Sequence, residues 1–369
     1  MDLPMPSEKE SAAPPSALRV VPGVDGGHDG MDTNLKRPSR PPPRFTEPSA
    51  EELIDGIRHR NRTLLARAIT LVESNAPKHQ EVARQVLEAL TPEAGNSVRL
   101  GITGVPGAGK STLIESLGFW LCEQGRDVAV LAVDPSSTLH RGSILGDKTR
   151  MEQLARHPRA FIRPSPSGGT LGGVARKTRE TVVLCEAFGF ETVILETVGV
   201  GQSEGLVRTM VDCFLLVLIA GAGDELQGIK KGVMELADHI LVNKADGGNE
   251  RAALLAKAEL NRVLSFLSGP TPGWSTRAAT ISALTRAGLP ELWARIEDFL
   301  EKTRSSGAFA TRRQRQAVEW FESLLDEGLR ARFFADPRVS RQLPLFRERI
   351  HSGQMPPTQA AESLLRLWG

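Results

Sequence analysis

The chain has 369 residues, 40% of them hydrophobic, and 46 Lys and Arg against 44 Asp and Glu. A net charge of +2 creates no field that would direct it to nucleic acid or a membrane surface, and no apolar run approaches the roughly 20 residues of a membrane span. Cys122, Cys185 and Cys213 lie far apart without CxxC spacing, and the seven histidines show no ligand spacing. This excludes a disulfide scaffold and a Cys/His metal motif, and predicts reduced, buried thiols in a cytoplasmic protein.

Residues 1–48 are rich in Pro, Ser, Gly and charge, including Pro14-Pro15 and Pro41-Pro42-Pro43. Such a segment cannot bury a core and reads as a disordered tail. It has neither the apolar centre of a secretory signal nor the Arg-rich, acid-poor character of a transit peptide. A helical extension over 49–95 starts at the capping box Ser49-Ala-Glu-Glu52. Leu53, Ile57, Leu64, Ala68, Leu71 and Val72 follow at mostly helical spacing, and a second short helix runs from His79 to Leu90, before Pro92.

Over 96–306, strand-like and helix-like stretches alternate. The strands are expected at 98–102, 127–133, 160–163, 192–196, 213–219, 239–242 and 279–281. This α/β alternation implies a mainly parallel sheet covered by helices on both faces, with ligands at the carboxyl ends of the strands. Residues 307–369 form a helical arm. Ala317, Trp320, Phe321, Leu324 and Leu325 make an apolar stripe, Asp336-Pro337 breaks the helix, and Thr358 to Trp368 make a final one. Periodicity alone leaves open whether the arm caps the domain or makes a dimer contact.

Two motifs in the alternating region bear chemistry. Gly104-Val105-Pro106-Gly107-Ala108-Gly109-Lys110-Ser111, followed by Thr112, fits G-x-x-x-x-G-K-[ST] between a strand and a helix. Its backbone N–H groups are expected to converge on phosphate oxygens, with Lys110 reaching the β- and γ-phosphates and Ser111 holding Mg²⁺. This is a P-loop NTPase signature.

Asn243-Lys244-Ala245-Asp246 follows an apolar strand and has the N-K-x-D arrangement of guanine-specific proteins. Asp246 can accept from guanine N1–H and the 2-amino group, whereas adenine offers an acceptor at N1 and has no 2-amino group. Ser282-Ala283-Leu284 is a candidate third base-contacting segment.

Between these motifs, Glu196 ends a strand and is a candidate Mg²⁺ ligand, and Gly199 can approach the γ-phosphate. Val200 stands where many GTPases carry a water-orienting Gln, and Gln202 lies two residues too far. Slow unaided hydrolysis is expected. Asp134 and Asp147 are further candidate Mg²⁺ ligands, with turn-forming and helix-capping roles as alternatives. Ser167-Gly-Gly-Thr-Leu-Gly-Gly173 reads as a flexible loop. Gly221 to Glu235, containing Asp224, Gln227, Lys230 and Lys231, is either an ordinary strand-to-helix loop or a switch that reports nucleotide state.

In combination these residues resemble the methylmalonyl-CoA mutase-associated GTPases of MeaB/ArgK type. The resemblance rests on 66–74, 101–112, 133–137, 146–151, 196–203, the 221–235 loop and 243–246. It implies a P-loop GTPase with N- and C-terminal helical extensions, using GTP/GDP and Mg²⁺. It further implies a homodimer held partly by the C-terminal arm. GTP turnover is then expected to gate adenosylcobalamin delivery to a cobalamin-dependent acyl-CoA mutase, to protect the loaded enzyme and to promote release of damaged cofactor. An adenosyltransferase is a second candidate partner, and the 224–231 loop is expected to couple to the mutase. A P-loop kinase or transport-associated ATPase is the alternative, against which Asn243 to Asp246 argue. A nickel-insertion GTPase would carry a Cys/His motif, which is absent.

Overall fold

The computed structural model describes residues 47–133, 151–164, 171–197, 203–220 and 231–368. Among them, seven strands form one parallel sheet: β1 (Val98–Gly104), β2 (Val128–Val133), β3 (Ala160–Arg163), β4 (Thr192–Thr197), β5 (Cys213–Ile219), β6 (His239–Asn243) and β7 (Arg277–Thr280). The spatial order is β3-β2-β4-β1-β5-β6-β7. Central strands such as β2, β4 and β6 are buried throughout, because a parallel sheet covered on both faces exposes neither side of its strands.

Alternate residues feed two cores. Val128, Val130, Ile194 and Leu215 face one with Leu100 and Ile102, and Ala129, Leu131, Val193, Leu195 and Phe214 face the other. The first face is covered by α4 (Lys110–Glu123), α9 (Glu250–Leu264) and α10 (Leu289–Ser305). The second is covered by the N-terminal helices and α6 (Leu171–Phe188). Shorter helices are α5 (Glu152–Arg156), α7 (Ser203–Arg208) and α8 (Lys231–Met234).

Expected and observed strands agree to within one residue at each end, apart from two strands. β1 runs on to Gly104, and the last strand shifts back to Arg277–Thr280. The cysteines are buried and free of disulfides.

The N-terminal pair of helices is instead three: α1 (Ala50–Arg58), α2 (Arg62–Glu73) and α3 (Pro77–Leu90). The capping box is present, with Glu52 N–H donating to Ser49 Oγ at 3.1 Å and Ser49 N–H donating to Glu52 at 2.9 Å. The stripe from Leu53 to Val72 is interrupted because Arg60 adopts a left-handed φ of 57°. Asn61 then starts a new helix by accepting from the N–H groups of Thr63 and Leu64.

At the carboxyl end, α11 (Ala308–Ala335) and α13 (Pro357–Trp368) enclose α12 (Pro337–His351). Asp336 both ends α11 and caps α12, with Pro337 in its first turn. The base of α11 is clamped to the amino end of β5. Arg313 donates to both oxygens of Asp212 (2.8 and 2.7 Å), Arg312 lies 3.5 Å from Asp238, and Gln316 donates to Val211 O at 2.9 Å. Asp238 also receives Arg208 at 3.0 Å and Phe214 N–H at 2.9 Å. These buried acids are therefore charge-paired and hydrogen-bonded, as burial requires.

Candidate functional site

β1 ends at Gly104 and α4 begins at Lys110, so Val105 to Gly109 make the loop between them. Two of the glycines are required by close approach. A Cβ on Gly104 would lie 2.1 Å from the Val217 carbonyl oxygen of β5, and one on Gly109 (φ 82°) would lie 2.6 Å from Asn243 Nδ2. Val105 and Ala108 are buried, whereas Pro106, Gly107 and Thr112 are exposed.

The Lys110 ammonium folds back over this loop, donating to the carbonyls of Gly104 (2.8 Å) and Val105 (3.2 Å). Burial lowers its pKa from the ordinary lysine value, and the carboxylates of Glu196 and Glu204 pull in the opposite direction. Ser111, in the first turn of α4, donates its hydroxyl to Glu196 Oε1 at 2.8 Å. Glu196 is 5% exposed and stands beside Ile102 of β1 and Ala132 of β2. One residue on, Thr197 Oγ1 donates to Thr103 Oγ1 at 2.8 Å and ties β4 to β1 at the same height.

A hydroxyl and a carboxylate at the head of the phosphate-type loop make an all-oxygen donor set of the kind that suits Mg²⁺. No group of three or more His, Cys, Asp or Glu among the described residues could hold a metal. Mg²⁺ held by Ser111 and Glu196 would therefore complete its shell with ligand oxygens and water, its usual habit. Asp134, Asp147, Gly199, Val200 and Gln202 lie outside the described residues, as do Asp224, Gln227 and Lys230; Lys231 is the first residue of α8.

The second motif is joined to the first through Asn243. This residue is 1% exposed; its Nδ2 donates to Ala108 O at 2.8 Å and its Oδ1 accepts from Ala283 N–H at 3.0 Å. Lys244 takes a left-handed φ of 59°, and its carbonyl accepts from Asn249 Nδ2 at 2.9 Å. The turn delivers Asp246, half-buried, to the Ser282 hydroxyl, which donates to its carboxylate. Ser282 Oγ accepts in turn from Thr285 N–H at 3.0 Å. Leu284 is 77% exposed.

The structure thus brings together three segments, the first of them 135 residues from the second along the chain and the second 40 from the third. Ser116, on the buried side of α4, adds a tie by donating to Ala283 O at 2.6 Å. Its place among Ile114, Leu117 and Leu121 hides that role, since a single Ser on an apolar helix face carries no motif. Asn249 was equally silent in the sequence.

With this geometry in place, comparison with known proteins is decisive. The family model described as methylmalonyl-CoA mutase-associated GTPase MeaB matches residues 65–338. The chain belongs to the MeaB family.

Curated relatives agree with that placement. A probable GTPase of Mycobacterium tuberculosis is 50% identical over 321 residues, covering 86% of this chain and 96% of the relative. The GTPase ArgK of Escherichia coli is 49% identical over 297 residues, covering 80% and 90%. The mitochondrial methylmalonic aciduria type A homolog of Mus musculus is 42% identical over 326 residues, covering 86% and 79%. A solved structure named as a LAO/AO transport system kinase shares the fold with a TM-score of 0.68 and 40% identity, over 87% of this chain and 98% of that one. The MeaB-family chain is therefore a P-loop NTPase in architecture as well as in sequence. No described helix is long and apolar enough to cross a membrane.

Proposed function

We propose that this MeaB-family protein binds GTP with Mg²⁺ and hydrolyses it slowly to GDP and phosphate. In this reading the cycle gates adenosylcobalamin loading, protection and reactivation of a cobalamin-dependent acyl-CoA mutase such as methylmalonyl-CoA mutase. The observation that carries the nucleotide assignment is the single constellation in which Asn243 ties the Lys110–Ser111 loop to the segment bearing Asp246 and Ser282. The family description and the name of the mouse relative support the mutase as partner.

In that reading the amides of 104–112 cradle the phosphates. Lys110 leaves the Gly104 and Val105 carbonyls for β- and γ-phosphate oxygens. Burial lowers its pKa from the ordinary lysine value, and phosphate oxygens beside it would favour the charged form. Ser111 and Glu196 separate to hold Mg²⁺, which when bound neutralises charge on the phosphoryl oxygens. Asp246, oriented by Ser282, accepts from the guanine edge, while Lys244, Ala283 and Leu284 line the base. In the same reading Gly199 would approach the γ-phosphate, and Asp134 and Asp147 would be further candidate Mg²⁺ ligands. The group 224–231, with Asp224, Gln227, Lys230 and Lys231, relays nucleotide state to the mutase, and an adenosyltransferase is a second partner in the cytoplasm.

The same proposal divides the chain into a tail (1–48), a helical extension (49–95), the GTPase domain (96–306) and a C-terminal dimerisation arm (307–369). The arm's role in a homodimer is supported by its apolar face: Val318, Phe321, Leu325 and Leu329 are 56, 63, 51 and 44% exposed, on a helix whose base is fixed by Arg312 and Arg313. An apolar stripe exposed along one helix is the kind of surface an interface covers.

Single-turnover GTP hydrolysis, measured with and without each candidate acyl-CoA mutase, tests the reading. A slow basal rate that one mutase accelerates is expected, because the partner orders the loops around the attacking water. A fast rate that no mutase alters contradicts it.

A further inference from the structure

At the end of the sheet opposite Asn243 lies a cavity of about 690 Å³. It is walled by the last two turns of α9, the start of the edge strand β7 and the middle of α10. Arg277 opens β7 opposite His239, the first residue of β6. Four residues of strand, roughly 13 Å at the usual rise, therefore separate this cavity from Asn243 and the nucleotide motifs beyond it.

Three cations line the cavity, Lys257 from α9, Arg277 from β7 and Arg295 from α10. Among the described residues none of the three has a carboxylate within ion-pair distance. Asp298, one turn beyond Arg295, gives its carboxylate to Lys302 at 2.8 Å. Burial and the neighbouring Arg277 both lower the Arg295 pKa, so its charge is held at a cost that no acid among the described residues offsets.

The rest of the lining is suited to a ligand. Asn261 satisfies the free edge of β7, accepting from Ala278 N–H at 2.9 Å and donating to Ala278 O at 3.3 Å. The cavity mouth is thereby protected from pairing with another strand. Ser275 supplies a hydroxyl and Leu264 an apolar wall. The volume falls within the range of small-molecule sites.

We propose that this cavity is a second binding site, for a small molecule bearing a phosphoryl group. Two guanidinium forks and an ammonium match a multiply charged tetrahedral anion better than the single charge of a carboxylate. The apolar wall would take the uncharged part of the ligand. The site stands apart from the Lys110 loop and does not depend on the reading given to that loop.

Pyrophosphate is the probe, titrated calorimetrically into the full chain carrying Lys110→Ala, so that the loop after β1 contributes little. Saturable binding is expected, with the dissociation constant raised at least ten-fold by Arg277→Gln with Arg295→Gln. Ser275→Glu, at an exposed position, supplies the missing counter-charge. It is expected to abolish binding and to raise the melting temperature at low ionic strength. That gain distinguishes a blocked site from a damaged fold. Binding unchanged within two-fold in both variants overturns the proposal, as does an absence of saturable binding in the Lys110→Ala chain. Citrate binding as tightly as pyrophosphate overturns the phosphoryl assignment.

Discussion

Removing the Asn243 side chain should disconnect the two nucleotide motifs before any ligand is present. The residue is 1% exposed, and Ala108 and Ala283, whose backbone groups it satisfies, are 0 and 3% exposed. Asn243→Ala strands one buried carbonyl and one buried N–H, and each stranded group costs about 1–3 kcal/mol. A loss of about 2–6 kcal/mol is expected, a large share of the about 5–15 kcal/mol that holds a typical domain folded. Asn243→Asp separates the two bonds. One oxygen still accepts from Ala283 N–H, but the other faces the Ala108 carbonyl, two acceptors at the distance of the present 2.8 Å bond. Protonation restores a donor there, so the folded-state pKa of the new carboxyl is raised and stability should recover as pH falls toward 4. Urea unfolding at pH 5 and pH 8 measures both variants. A cost below about 1 kcal/mol for Asn243→Ala, or a pH-independent cost for Asn243→Asp, refutes the clamp.

Lys110→Ala should abolish GTP turnover, and Ser111→Ala should shift its Mg²⁺ dependence to higher concentration; phosphate release across a Mg²⁺ series checks both, and wild-type rates in the lysine variant would remove it from the site. His239 is 2% exposed between Trp274 and Phe299, and burial lowers its pKa to about 3. The unfolded chain therefore holds the extra proton between about pH 6.5 and pH 3, and stability falls as pH drops through that window, by about 2 kcal/mol between pH 6.5 and pH 5. His239→Phe keeps the ring contacts and should flatten that limb; an unchanged slope in urea titrations from pH 7 to pH 4 contradicts the assignment. Phe321→Asp with Leu325→Asp should convert a homodimer to monomer in sedimentation analysis while leaving nucleotide binding intact, and a dimer that persists moves the interface elsewhere.

The local parts of the site were legible because their chemistry is confined to a few consecutive residues. Gly104 and Gly109 admit no Cβ, Lys110 and Ser111 follow at a fixed offset, and Glu196 ends a strand whose apolar run announces it. The strands were legible for the same reason, since continuous apolar runs between turn residues leave little choice in a covered parallel sheet. What the sequence hid is long-range. Ser116 meets Ala283 across 167 positions and Asn243 meets Ala108 across 135, and no periodicity encodes such meetings. The division of α1 from α2 was missed because Arg60 adopts a left-handed conformation that side chains rarely take, paid for by its 3.0 Å bond to Asp127 and the Asn61 cap. α12 escaped notice because Asp336-Pro337 reads as a breaker, whereas the same pair also caps and starts a helix.

Base selectivity tests the central claim most directly, and the measurement is a titration of GTP, ATP and xanthosine triphosphate into the wild type and Asp246→Asn. The wild type should prefer GTP strongly over ATP, because a half-buried carboxylate left without guanine's two donors costs several-fold to many-fold in affinity. Asp246→Asn should lose GTP affinity and gain affinity for xanthosine triphosphate, whose 2-oxo group the new amide complements. Equal GTP and ATP binding in the wild type, or unchanged GTP affinity in Asp246→Asn, would contradict the assignment of this site to a guanine nucleotide.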